Sequence, residues 1–190
     1  MREISCETIA NAVARLCVQA CTELPQQVRS LLDHAAQNEP FPPARETMDL
    51  IRQNARIARD QQMPICQDTG MAVVYADVGQ EVHITGGLLA DAVNRGVARG
   101  YTDGYLRKSI VADPIRRGNT GDNTPAVLHV RLTEGDRLGL TVAPKGFGSE
   151  NMSRLGMLTP AQGLQGVKDF VVETARMAGA NPCPPMMLGV

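Results

Sequence analysis

Pro64-Ile65-Cys66-Gln67-Asp68-Thr69-Gly70 joins a helix-like segment to a strand-like segment and sets four chemically useful side chains in one turn. A thiolate binds soft metals, a carboxylate exchanges protons, and an amide beside a hydroxyl holds a polar ligand. A second proline-framed cysteine occurs in Asn181-Pro182-Cys183-Pro184-Pro185. Because neighbouring prolines restrict the backbone around Cys66 and Cys183, both thiols are candidate ligands held in place before a metal binds.

Length and composition restrict the class of protein. The 190 residues suffice for one sizeable core or for one domain of a larger enzyme. A formal net charge of -1 provides no electrostatic footprint for nucleic acid or an anionic membrane. No apolar run approaches the roughly 20 residues of a membrane span, and the acidic N-terminus lacks the apolar stretch of a signal peptide. We therefore expect a cytoplasmic protein with no nucleic-acid or membrane partner.

The N-terminal third of the sequence is predicted to be helical. Apolar residues at steps of three and four indicate a first helix from about Ser5 to Ala20. Pro25 opens a second helix, which ends before the proline-rich break at 40–43. A third helix is predicted from about Ala44 to Asp60. Its buried face would contain Met48, Ile51, Ala55 and Ala58, and its solvated face Arg52, Arg56 and Arg59.

Three further cysteines, Cys6, Cys17 and Cys21, fall on or beside the apolar face of the first helix. Reduced cysteine is among the most buried residue types. Five cysteines is an odd number, and their spacing does not suggest a disulfide framework. We therefore predict that these three thiols are reduced and pack in the core.

The remainder of the chain alternates strand-like and helix-like segments. A strand is predicted at Met71–Val78, followed by a helix after Gly86-Gly87. The segments Ala126–Leu132 and Leu138–Val142 flank a Glu-Gly-Asp turn and are predicted to form a β-hairpin. The predicted fold class is α+β, with a helical N-terminal region packed on a mixed or antiparallel β-sheet.

The C-terminal part of the sequence is predicted to contain a long helix from about Pro160 to Ala178. An apolar strand would begin at Met186, and the sequence stops five residues later at Val190 without a cap or polar tail. We therefore expect a fragment that is truncated at its C-terminus. A strand cut there would leave an unpaired edge, so self-association is expected.

Two polar loops have alternative interpretations. The segment 116–125 is dense in glycine and polar side chains, which fits either a functional loop or a network of Asx turns leading into the next strand. The segment 144–151 offers a lysine, two glycines and backbone N–H groups. Such a loop either cradles an anion or is only a structural turn.

Four ordered motifs closely resemble the iron-sulfur fumarate hydratase family, the class I fumarases. They are Pro-Ile-Cys-Gln-Asp-Thr-Gly at Cys66, Gly-Asp-Asn-Thr-Pro-Ala at Gly121–Ala126, Lys-Gly-Phe-Gly-Ser-Glu-Asn-Met-Ser at Lys145–Ser153, and Asn-Pro-Cys-Pro-Pro at Cys183. The likeness extends over nearly all of residues 1–190 and matches the N-terminal, or alpha, part of those enzymes. It implies a [4Fe-4S] cluster held by three cysteines, with one iron open to substrate.

The resemblance also implies roles for individual residues. Cys66 and Cys183 would be two of the three cluster ligands, and the third would lie beyond Val190. Gln67 and Asp68 would contact the substrate, with Asp68 as the catalytic acid. Arg107 would bind a substrate carboxylate. A guanidinium suits this role because it forms bidentate hydrogen bonds to a carboxylate. The loop containing Gly146 and Gly148 would border the same pocket.

The implied reaction is the reversible hydration of fumarate to malate. The implied partners are a small dicarboxylate substrate and a C-terminal domain or beta subunit that carries the catalytic base, within a homo-oligomer. Two alternatives stay open. The motifs do not separate a fumarate hydratase from the alpha subunit of a tartrate dehydratase, and the chain could be a non-catalytic assembly module that only docks a partner subunit.

Overall fold

The computed structural model describes the backbone of residues 1–190 and every side chain except those of residues 149 and 150. The chain divides into two units, Met1–Lys145 and Gly146–Val190. Helices α1 to α4 of the first unit are Cys6–Thr22, Gln26–Asn38, Pro42–Gln61 and Leu89–Asp103. Its strands β1 to β5 are Arg2–Ser5, Met71–Gly79, Val82–Thr85, Val127–Thr133 and Leu138–Lys145.

The three predicted N-terminal helices are confirmed. Ser5 caps α1, because its hydroxyl accepts a 3.1 Å hydrogen bond from the Thr8 N–H. Pro25 precedes α2, and a proline lies in the first turn of α3, where its missing N–H costs no helical hydrogen bond. Met48 and Ala58 of α3 are buried as predicted, whereas Ile51 and Ala55 are only partly covered.

Strand β2 is the centre of a three-stranded sheet with the order β4-β2-β5. Strand β4 pairs with β2 in parallel, and β5 pairs with β2 in antiparallel orientation. Alternate residues of β2 face the core, and this buried row is Ala72, Val74, Ala76 and Val78. The sheet is therefore mixed, and the α+β class is confirmed.

The predicted pairing of β4 with β5 as a hairpin is wrong. The turn between them binds the end of β2 instead. Gly79 donates its N–H to the Arg137 carbonyl at 2.8 Å, and Glu81 donates to the Gly135 carbonyl at 3.0 Å. Strand β2 therefore lies between β4 and β5, and these two strands do not pair with each other.

A second sheet, of β1 and β3 in parallel, was not predicted. Both strands have four residues, too few for a clear alternating pattern. It extends the first unit beside α1, where Ile4 of β1 and Ile84 of β3 pack against the main core.

Helices α1 and α4 lie close together in the main core because glycine is present at their contact. A Cβ atom added at Gly100 would lie 2.7 Å from the Ala14 carbonyl oxygen, and one at Gly96 would lie 2.6 Å from the Ala10 carbonyl oxygen. Cys6, Cys17 and Cys21 are buried in this core, which confirms the prediction for the three thiols.

Helices α2 and α3 form a smaller apolar cluster built on Leu32, Ala36 and Met48. Arg52 of α3 contacts the Asp33 carboxylate of α2 at 2.6 Å. The helix pair therefore has its own contacts in addition to those with the main core.

The second unit contains helix α5, Gly163–Ala178, and the short 3-10 segments Ser149–Met152 and Pro160–Gln162. The guanidinium of Arg154 lies 5.1 Å from the centre of the Phe170 ring. The strand predicted from Met186 is wrong, because residues 186–190 have no regular secondary structure within the described chain. Among the described residues, no helix is long and apolar enough to cross a membrane.

Candidate active site

The turn at Cys66 is fixed to two helices through the preceding residue. The Ile65 N–H donates to the Cys21 carbonyl of α1 at 2.9 Å, and the Asn54 side chain of α3 donates to the Ile65 carbonyl at 2.8 Å. Both polar groups of one residue are therefore held by the helical layer. This arrangement gives Cys66 a defined position next to the buried end of α1.

Polar contacts within the turn orient its side chains. The Asp68 N–H donates to the Cys66 sulfur at 3.4 Å, and the Cys66 thiol lies 3.4 Å from the Gln67 side-chain oxygen. The Gly70 N–H donates to an Asp68 carboxylate oxygen at 3.1 Å. Cys66 and Gln67 are exposed, Asp68 is half-buried, and Thr69 is buried. The turn is therefore buried at its C-terminal end, at Thr69 and Gly70, while the sulfur of Cys66 and the amide of Gln67 are exposed and the Asp68 side chain is half-buried.

Thr69 connects this turn to the segment that contains Arg107. Its hydroxyl donates a 3.0 Å hydrogen bond to the Arg107 carbonyl. Its own carbonyl accepts a 2.8 Å hydrogen bond from the buried Tyr101 hydroxyl of α4. A phenol is protonated at neutral pH and can donate, and burial raises the pKa of Tyr101 further. Of the predicted site residues, Asp68 thus directly precedes Thr69 in the chain, and Arg107 is hydrogen-bonded to Thr69 through its backbone carbonyl.

Asn123 makes the second connection. Its side-chain oxygen accepts from the N–H groups of Ser109, at 2.6 Å, and Ile110, at 3.2 Å. Its amide N–H donates to the Gly70 carbonyl at 3.0 Å. Asn123 is fully buried and has a left-handed backbone, with φ at 65°. One amide therefore joins the loop at 121–126, the Cys66 turn and the backbone just after Arg107.

The sheet register brings three of the predicted loops to one end of β2. Met71, the first residue of β2, pairs with Lys145, the last residue of β5. Val73 pairs with Val127, the first residue of β4. The Ala126 N–H, just before β4, is held by the Asn94 side chain of α4 at 2.9 Å. The Cys66 turn, the 121–126 loop and Lys145 therefore meet at the same edge of the sheet.

The loop at 116–125 contains the Asx turns that one of its two interpretations required. Asn119 accepts from the Gly121 N–H at 2.8 Å, and Asp122 accepts from the Thr124 N–H at 3.0 Å. The hydroxyl of Thr124 also donates to the Asp122 carboxylate, and these two hydrogen bonds lower the pKa of that carboxyl. The interpretation as a network of Asx turns is therefore confirmed, and these turns hold the loop that contains Asn123.

The remaining predicted site residues belong to the second unit. Cys183 is exposed, and it lies in the irregular segment after α5. Gly146 is half-buried and Gly148 is exposed, and the Gly148 carbonyl accepts a 3.3 Å hydrogen bond from the Asn151 N–H. The side chains of Ser149 and Glu150, from the same motif, lie outside the described residues.

Sequence reasoning did not identify Thr69, Tyr101 and Asn123 as a connected group. Thr69 and Asn123 lie inside motifs that were recognised, but a sequence does not distinguish a buried amide from a solvated one. Ser109 was also missed. Its hydroxyl is buried and makes no hydrogen bond to any described atom, which leaves unused hydrogen-bonding capacity two residues after Arg107.

Comparisons with known proteins identify the family of the chain. Residues 10–190 match the family described as fumarate hydratase (Fumerase). A Methanocaldococcus jannaschii protein named as an L(+)-tartrate dehydratase subunit alpha is 34% identical, over 96% of this chain and 66% of that protein. The anaerobic class I fumarate hydratase of Escherichia coli is 36% identical, over 70% of this chain and 24% of that enzyme. The aerobic class I enzyme of the same species is 34% identical, over 84% of this chain and 29% of that enzyme.

The chain belongs to the fumarate hydratase (Fumerase) family, which confirms the resemblance carried by the four motifs. It spans about two thirds of the Methanocaldococcus protein and less than a third of the two Escherichia coli enzymes.

Proposed function

We propose that this chain is part of a hydro-lyase that reversibly hydrates fumarate to malate, together with a C-terminal segment or partner subunit. The observation that carries the proposal is the pair of hydrogen-bonded connections that join the Cys66 turn to the backbone around Arg107, one through the Thr69 hydroxyl and one through the Asn123 side chain. They hold the turn with the Cys66 thiol and the Asp68 carboxyl group next to the backbone of Arg107. A small dicarboxylate offers groups that match this set.

The donor chemistry of the chain fits an open-site [4Fe-4S] cluster. Cys66 is exposed, and the N–H donated to its sulfur by Asp68 would stabilise a thiolate ligand. Burial raises the pKa of Cys17 to about 12, with a smaller contribution from Cys21, and burial likewise raises the pKa of Cys21 to about 12. Buried thiols of this kind are poor ligands.

Cys66 and Cys183 would therefore hold the cluster, with a third ligand supplied from outside residues 1–190. Among the described side chains, no group of three or more His, Cys, Asp or Glu residues could hold a metal ion. When bound, the cluster would supply Lewis acidity towards a substrate carboxylate and hydroxyl.

The other residues have roles that follow from their chemistry. Asp68 exchanges a proton with the bound substrate, since its carboxyl group lies two residues from the proposed ligand Cys66. Gln67 would donate a hydrogen bond from its exposed amide to the substrate. Arg107 binds a substrate carboxylate through its planar fork, and the backbone N–H groups at Gly146 and Gly148 border the same substrate.

Dehydration of tartrate is the second candidate function. It is favoured by the extent of one comparison, since the Methanocaldococcus protein named as a tartrate dehydratase subunit alpha matches 96% of this chain. The two reactions act on similar diacids. A beta subunit would be the partner in this case.

Reduced thiols at Cys6, Cys17 and Cys21 support the cytoplasm as the location. The proposal includes assembly into a homo-oligomer with the C-terminal segment or beta subunit.

The test uses the complete protein, with its partner subunit if the gene is split, purified and reconstituted without oxygen. Iron and sulfide are measured, and the protein is assayed for malate formation from fumarate and for oxaloacetate formation from tartrate. A cluster with turnover of fumarate supports the first proposal, and turnover of tartrate alone supports the second. A complete complex that holds a cluster and converts neither diacid would overturn both in favour of an assembly role.

A further inference from the structure

The buried hydrogen bonds behind the Cys66 turn form one connected group. Tyr101 binds Thr69, Thr69 binds the Arg107 carbonyl, and Asn123 binds Gly70 together with the N–H groups that follow Arg107. The hydroxyl of Tyr101 lies inside the core, and Thr69 and Asn123 are 5% and 0% exposed. The bonds of Tyr101 to Thr69 and of Asn123 to Gly70 are buried, and the other two are part-buried. Water replaces a hydrogen bond less readily in such surroundings than at the surface.

We propose that Thr69, Asn123 and Tyr101 are positioning residues that fix the Cys66–Gly70 turn relative to Arg107. This inference rests on the proposed function, in which Asp68 and Arg107 act on the same dicarboxylate. None of the three side chains needs to touch the substrate. Their effect passes through the backbone of the residues that do.

Asn123 suits this role because an amide offers both a donor and an acceptor. Its oxygen accepts two N–H groups after Arg107, and its N–H group donates to Gly70. A carboxylate lacks the donor, and a hydroxyl has a shorter reach. Asparagine also tolerates the left-handed backbone that places its side chain between the two segments.

The two sides of the connection have different anchors. The Cys66 turn is held to α1 and α3 through Ile65. The segment after Arg107 is held by Asn119, whose side chain donates to the Lys108 carbonyl at 3.0 Å. Thr69 and Asn123 join these two separately supported segments. Loss of either connection should therefore change their relative position more than their individual folds.

Thr22 provides a matched control for Thr69. Both threonines are buried in the first unit, and each donates its hydroxyl to a backbone carbonyl at 3.0 Å. The Thr22 bond, to the Val18 carbonyl, stays within α1 and does not reach the Cys66 turn. Thr22→Val and Thr69→Val thus delete similar hydroxyls, while Thr69→Ser keeps the donor and removes only a methyl group.

The first measurement is hydrogen exchange on the full chain, which does not depend on activity. Thr69→Val and Asn123→Gly should accelerate exchange in the 66–71 and 107–110 segments by about tenfold, since each loses a buried hydrogen bond. Glycine is used because it tolerates the left-handed backbone at position 123. Tyr101→Phe should accelerate the 66–71 segment, and Thr69→Ser and Thr22→Val should leave both segments near wild type.

The second measurement is steady-state kinetics on the complete protein. Thr69→Val should raise the KM for the dicarboxylate by about tenfold as Arg107 moves relative to Asp68. Thr69→Ser should restore KM to within about twofold of wild type. A lower folded fraction alone would reduce the apparent kcat and leave KM unchanged.

These two measurements separate the two proposals. Local acceleration of exchange with unchanged KM would show a structural connection only and would overturn the positioning role. Equal effects of Thr22→Val and Thr69→Val on either measurement would also overturn it. If the complete protein converts no dicarboxylate, the proposed function fails and the positioning role fails with it, while the exchange data still show whether the connection exists.

Discussion

Met71 and Lys145 are register partners at one end of the β2–β5 ladder. Their pairing places the residue that follows the Cys66 turn beside the residue that begins the Lys145 motif. The parallel pairing of β2 with β4 brings the loop before Val127 to the same end. The Cys66 turn, the 121–126 loop and Lys145 thus lie at the same end of one sheet, although they are far apart in sequence.

Asp68→Asn should lower turnover of the complete protein by about two to four orders of magnitude, the usual contribution of a general acid or base. The amide keeps an oxygen that can accept the Gly70 N–H, so the turn should stay folded. The measurement is kcat together with iron content. The control is Asp103→Asn at the exposed end of α4, which should retain full turnover. Near-normal turnover of Asp68→Asn with a full cluster would exclude the acid role.

Cys66→Ser and Cys183→Ser should abolish the visible iron-sulfur absorption of the complete protein, because each change removes an exposed candidate thiolate. Alanine at Cys6, Cys17 or Cys21 should leave the absorption in place, since these thiols are buried in the core. The measurement is the absorption spectrum with iron and sulfide analysis after anaerobic reconstitution. Loss of the spectrum in Cys17→Ala, with the spectrum intact in Cys66→Ser, would reverse the assignment.

The sequence predicted the helices and the burial of the three helical cysteines because both depend on local periodicity. Ile9, Val13 and Cys17 recur at the spacing of one helical face, and all three are buried. Strand β2 was also predicted, since its alternation and its valines are local features. These signals depend on residues that are close together in the sequence and are therefore also close together in the structure.

Strand pairing was not predicted correctly, because it depends on contacts between distant residues. The turn at Glu134-Gly135-Asp136 has the composition of a hairpin turn. Its carbonyl groups instead bind the end of β2, some 55 residues earlier in the sequence. The burial of Asn123 has the same origin, since all three of its partners lie at least thirteen residues away along the chain.

Gly100→Ala should destabilise the first unit by about 1–3 kcal/mol, the usual cost of adding volume to a packed core. The new methyl group would lie 2.7 Å from the Ala14 carbonyl oxygen and 3.0 Å from the Cys17 Cβ. In an open helix the same change would be favourable by up to about 1 kcal/mol. Chemical denaturation measures the free energy of unfolding. Gly118→Ala, at a position with open space, should change that free energy little, and equal effects of the two variants would contradict the close contact of α1 with α4.

The stability of the chain should fall as the pH rises above about 9. Burial raises the pKa of Cys17 and Cys21 to about 12 from the ordinary value of 9.0, and it also raises that of Tyr101. Between those values the unfolded chain has released protons that the folded chain still holds, so the free energy of unfolding decreases with pH. Each thiol contributes a slope of up to about 1.4 kcal/mol per pH unit.

Urea unfolding under reducing conditions from pH 8 to pH 11 measures this slope. Cys17→Ala should reduce the slope by the contribution of one thiol, even though the cavity it leaves lowers stability at every pH. A free energy of unfolding that stays constant from pH 8.5 to pH 10.5, or a slope unaffected by Cys17→Ala, would show that the buried thiols do not titrate on unfolding. The variants are compared by the slope of the free energy of unfolding against pH. Loss of packing lowers this free energy equally at every pH, so only the change in proton release alters the slope.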